Sequence, residues 1–114
     1  MESQALNKVM LEGSFKNELD KLIKDSINSF GDFIHVDTMS DYKDFLKIYN
    51  VRDFWCGYLI ARLEMDCANL FKTKYSRICT REEFTEIVKT VREYGNFVRT
   101  RINEKYVGMF GYDL

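Results

Sequence analysis

The chain has no proline and only six glycines in 114 residues. Sandwiches and barrels turn often, and turns draw heavily on those two residues. Their shortage points instead to a few long helices joined by short loops. Histidine is almost missing too, with His35 the single example. No cysteine–histidine spacing fits a zinc site. The phosphate-cradling glycine loop, the dinucleotide fingerprint and the nucleophile elbow are all absent. No charge of one sign dominates. Seventeen basic and eighteen acidic side chains leave a formal net charge of −1, so no global field draws the protein to nucleic acid or an anionic membrane. Uncharged apolar runs fall far short of the roughly 20 residues that span a bilayer, and residues 1–11 carry no apolar stretch of the export-signal kind. The expectation is a soluble, cytoplasmic protein that uses no cofactor and does not contact membrane.

Cysteine occurs at an odd count: Cys56, Cys67 and Cys79. Without an export signal, an odd count predicts free thiols. Cys56 and Cys67 also fall on one predicted helix, roughly 16 Å apart along its axis at about 1.5 Å per residue. A disulfide needs Cα atoms within about 7 Å.

What the chain does have is apolar and aromatic side chains, 46% and 15% of its residues, enough for a packed core. Its length suits a single helical domain over residues 1–114. Phe15, Leu19, Leu22, Ile23, Ile27 and Phe30 recur at helical spacing and predict a helix over residues 15–30, capped by Ser14 and ended by Gly31. A short helical extension is expected over residues 3–11. A second main helix is expected over residues 39–49, opened by Thr38 and Asp41. A third, over residues 51–72, has Asn50 as its cap. Thr80 and Glu83 form a capping box before a fourth, over residues 81–105, whose Gly95 weakens it from within. The tail, residues 106–114, holds Met109, Phe110 and Tyr112 without helical period. The fold predicted is an all-α bundle of four main helices, with a helical N-terminal extension and an apolar C-terminal tail.

The third helix is apolar nearly all round, as a helix is when central in a bundle or covered by a partner. One face carries Phe54, Tyr58, Ala61, Met65 and Ala68. The other carries Cys56, Leu59, Ile60, Leu63, Cys67, Leu70 and Phe71. The second face is expected to need a cover from outside the bundle, either the tail residues Met109, Phe110 and Tyr112 or a second copy. A homodimer is the expected answer.

Four features hold chemistry worth weighing. His35, between Asp32 and Asp37, has the partners of a general base but no second catalytic group. Cys79, beside Arg77, Arg81 and the start of a helix, is the candidate reactive thiol. Trp55, Arg62, Asp66 and Asn69 share a stripe of the third helix, either as a polar pocket or as a wet face with an Arg62–Asp66 ion pair. Arg81, Lys89, Arg92 and Arg99 fall on one flank of the fourth helix. With Lys72, Lys74 and Arg77 they make a candidate basic strip for nucleic acid or another anion. No base-stacking aromatics are interleaved with it, so nucleic acid is the less favoured partner. A helix-turn-helix reading of the second and third helices fails because the third lacks a basic polar face.

In size and class the chain is similar to small helical accessory proteins, phage-encoded inhibitors of host systems among them. The leading functional expectation is a non-enzymatic protein–protein interaction module, an adapter or inhibitor that self-associates. The alternatives are anion binding through the basic strip, and a small enzyme or ligand binder using His35 or the Trp55–Arg62 stripe.

Overall fold

The computed structural model of the chain describes residues 11–30 and 44–105 in full, and the backbone of residues 106–110. Its substance is four helices: α1 (Gly13–Ser29), α2 (Val51–Tyr75), α3 (Arg81–Arg92) and α4 (Gly95–Phe110). No strand occurs among the described residues, and the chain is an all-α bundle. No described helix is long and apolar enough to cross a membrane.

The core follows one spacing. Phe15, Leu19, Ile23 and Ile27 are buried on α1, and Trp55, Leu59, Leu63, Cys67 and Phe71 on α2. Ile87 and Val91 on α3, and Val98 and Ile102 on α4, complete it. Residues four apart form ridges on a helix, and ridges of one helix seat in the grooves of another. The α2 ridge is central, packing against α1, α3 and α4, while α1 also touches α4. Aromatic edges lock the ends of the α1–α2 contact. Phe15 meets Phe71 edge-on at 5.5 Å, and Phe30 meets Trp55 at 6.1 Å.

The face of α2 expected to lack a cover within the bundle is thus the buried one. Leu63 and Cys67 are fully enclosed by the chain's own helices, and Ile60 and Leu70 pack partly against the same core. The open side is the other face, with Tyr58, Ala61 and Met65 exposed.

Helix ends differ from the sequence reading for local reasons. Helix α1 starts at Gly13 with Glu12 as its N-cap and no side-chain cap bond. Ser14, the expected cap, lies inside the helix. Asn50 does cap α2, its side chain accepting from the Asp53 N–H at 2.8 Å. Helix α2 runs three residues past the expected end, to Tyr75, where Ser76 turns left-handed (φ 56°) and its N–H returns to the Lys72 carbonyl at 2.8 Å. Of the helix expected over residues 39–49, residues 44–46 are helical and Lys47, at φ 58°, ends the turn. Residues 39–43 lie outside the described residues, as do residues 3–10, Gly31, Thr38 and Asp41.

The helix expected over residues 81–105 is two helices. The chain turns at Glu93 and Tyr94, where the Tyr94 N–H bonds the Val91 carbonyl at 3.0 Å. The Tyr94 hydroxyl donates to Asp20 of α1 at 2.7 Å, which ties the break to a tertiary contact. Helix α4 then continues through Gly108 to Phe110, so the first part of the expected irregular tail is helical. Leu11 is buried and its N–H reaches both Glu86 carboxylate oxygens, at 3.2 and 3.4 Å.

Candidate functional site

The basic strip is dispersed and largely neutralised. Arg99 lies on α4, beyond the break, and its Nη1 bonds Asp53 of α2 at 2.8 Å. Arg92 approaches Glu64 at 3.9 Å, and Lys74 pairs with Glu18. Arg77 grips Glu83 with both terminal nitrogens at 2.8 Å each, and its guanidinium lies 4.9 Å over the Phe71 ring. Among the described residues Lys72, Arg81 and Lys89 pair with no carboxylate. Three such cations are well short of the 6–10 phosphate contacts of a typical nucleic-acid binder.

The Trp55–Arg62 stripe is also divided. Trp55 is 1% exposed and packs edge-on against Phe54 and Tyr58, both at 5.2 Å. It belongs to the core. Arg62 and Asp66 stay at the surface as an i, i+4 pair at 3.8 Å, and Arg62 also donates to the Tyr58 hydroxyl at 3.4 Å. Asn69 is exposed beside them.

All three cysteines are free. Burial pushes the Cys67 thiol up to about 12, with Asp66 and Glu64 adding to the effect. Burial also raises Cys56, outweighing the pull of Arg99 and Arg52 toward the thiolate. Cys79 is half-buried at the edge of the core. His35, Tyr112, and the side chains of Met109 and Phe110 lie outside the described residues. Among those described, no group of three or more His, Cys, Asp or Glu is placed to hold a metal ion.

One open cleft of about 460 Å³ escaped the sequence reading. Arg52 at the start of α2 and Asn96, Arg99, Thr100, Asn103 and Glu104 of α4 line it. The Asn103 side-chain oxygen accepts from Arg52 across it. The spacing of Asn96, Thr100 and Asn103 marks a polar stripe in the sequence, but nothing local shows that it faces Arg52. Arg99 pairs there with Asp53, while Glu104 pairs with Arg101. A second hollow, about 400 Å³, lies at Asp44, Lys47, Ile48 and Tyr49.

Apolar surface is the more telling feature. Among the described residues the exposed large apolar side chains are Phe45, Leu46, Tyr49, Tyr58, Met65, Ile78 and Phe97. All but Phe97 lie on α2 or within six residues of its ends. Tyr49 is 98% exposed, Phe45 78% and Met65 58%. The geometry defines a small helical bundle whose central helix also fronts solvent with apolar side chains. No known protein family, no curated protein and no solved structure matches the chain.

Proposed function

We propose that the chain is a non-enzymatic protein–protein interaction module, an adapter or inhibitor-type accessory protein of the cytoplasm, whose docking surface is the solvent face of α2. The grouping of exposed apolar side chains on and around that one helix carries the reading. Single exposed apolar residues are ordinary, but grouped ones mark interaction sites. The polar alternatives have less behind them, because four of the strip's seven cations pair with carboxylates and Arg99 at the cleft is bound to Asp53.

The test is site-specific photo-crosslinking in native extract, with a benzophenone side chain replacing Ala61 on the open face or Glu82 on the exposed side of α3. The expected result is protein capture from position 61, lost when Tyr58→Glu is added, and none from position 82. Equal capture from both positions, or capture from neither, overturns the reading.

A further inference from the structure

Along the solvent side of α2, Phe54, Tyr58, Ala61, Met65 and Ala68 follow one another at alternating steps of four and three, and Lys72 is next in the row. That is the spacing of a coiled-coil seam, in which side chains of one helix fit between those of another. Tyr58, Ala61 and Met65 are exposed, and Phe54 and Ala68 are half-buried. From Tyr58 onward the row alternates large and small.

The size pattern distinguishes two ways of pairing. Helix α2 runs Val51–Tyr75, so its midpoint is at Leu63. A two-fold axis at that level lays the helix antiparallel on a copy of itself over its full length. In that register Tyr58 meets the partner's Ala68, and Ala61 meets the partner's Met65. In these two layers each large side chain faces a small one, as close packing favours. Phe54 meets the partner's Lys72, an aromatic ring beside an ammonium. A parallel pair instead sets tyrosine on tyrosine, alanine on alanine and lysine on lysine, which gives crowded layers, empty layers and a like-charge contact.

Two further observations agree. Gly57 weakens a helix interior, yet apart from its own helix backbone a Cβ there would meet nothing within 4 Å, as also at Gly13 and Gly95. A closely approaching second helix gives that space a use. Phe45, Leu46 and Tyr49 precede α2 and Ile78 follows it, all exposed. Antiparallel pairing sets each copy's leading cluster at the end of α2 that bears the partner's Ile78.

We propose that the open face of α2 binds a second copy of this chain, antiparallel, about a two-fold axis at the level of Leu63. The proposal rests on the interaction-module reading and names its partner. Its area places it in a size class. A seam about 37 Å long and roughly 10 Å wide removes about 400 Å² per copy, or about 800 Å² in all, below the roughly 1,200–2,000 Å² of stable interfaces. The clustered apolar ends bring it nearer that range, and interfaces at this low end are weak and transient, so the Kd to test for is on the order of micromolar.

Sedimentation equilibrium of the full chain from about 1 to 300 µM (a range set by that Kd) tests the pairing. Ala61→Glu, at an exposed position, is expected to raise Kd at least tenfold while leaving the circular dichroism spectrum unchanged. Register is read in a Cys79→Ser background by mixing Tyr58→Cys chains with Ala68→Cys chains under mild oxidation. The expected product is the mixed 58–68 disulfide. Predominant 58–58 linkage overturns the antiparallel register, and an unchanged dimer in Ala61→Glu overturns the surface. A monomer across the whole range overturns the second copy as partner. In that case protein capture from position 61 in extract still upholds the broader interaction reading, so the two fail separately.

Discussion

Glu83 closes the link between α2 and α3, and neutralising it gives a stability loss that should fade with acid. One of its carboxylate oxygens accepts from the Thr80 N–H at 2.8 Å, and the Thr80 hydroxyl accepts from the Glu83 N–H at 3.1 Å. Both oxygens are held by Arg77, whose guanidinium also covers Phe71. The Arg77 hydrogen bonds, against the opposing cost of burial and with help from Thr80, hold the Glu83 carboxyl down from 4.5 to about 2. A carboxyl whose folded value lies below its unfolded one stabilises the fold fully above the unfolded value, here about 4.5. That stabilisation is lost as pH falls toward the folded value, and more than half is gone by pH 3. Arg77 is half exposed, so solvent screening reduces the ionic share to about 1 kcal/mol. Glu83→Gln keeps an acceptor for the cap and removes the charge. It should cost about 1 kcal/mol at pH 7, read by urea unfolding, and less than about 0.5 kcal/mol at pH 3. Glu83→Ala also strips the cap acceptor and should cost about 1 kcal/mol more at pH 7. A wild-type-to-Gln gap of equal size at pH 7 and pH 3, or no gap at pH 7, refutes the assignment of the low carboxyl value to the Arg77 pair.

Leu63 and Met65, two positions apart, should separate folding from association: Leu63→Ala, in the fully enclosed core, should cost about 3 kcal/mol in thermal or urea unfolding, and Met65→Ala less than about 0.5 kcal/mol at concentrations where the chain is monomeric. Alkylation followed by mass spectrometry should label Cys79 first and Cys67 last, because Cys67 is fully buried and its thiol is pushed up to about 12; equal native labelling of the two would contradict that environment. Ser76→Gly should raise stability by roughly 0.5–1 kcal/mol, since Ser76 holds the left-handed backbone that glycine adopts without strain, and no gain in the unfolding midpoint would argue against that C-cap. Burial and the Asp20 hydrogen bond raise the Tyr94 hydroxyl from 10 to about 12, so its contribution is complete below about pH 10 and lost as pH rises toward 12; Tyr94→Phe should flatten that alkaline limb of a stability–pH curve.

Much of this protein is written into local sequence. Helical period placed α1 and α2, because apolar side chains three and four apart can share a face only on a helix. The cap of α2 at Asn50 and the capping box at Thr80 and Glu83 were legible because both are contacts within four residues. The free thiols followed from an odd count and from helix rise. Tertiary structure decided the rest. Tyr94 reaches Asp20 across more than seventy residues and, with Gly95, splits what periodicity alone reads as one rod. Arg99 belongs to a positive flank in a helical projection, yet in space it is neutralised by Asp53 from another helix. The same holds for the two apolar faces of α2. Composition shows that both exist, but only the placement of α1, α3 and α4 shows that Leu63 and Cys67 are enclosed while Tyr58 and Met65 are left to solvent. Periodicity is a property of one helix, whereas burial depends on which neighbours arrive and from which side.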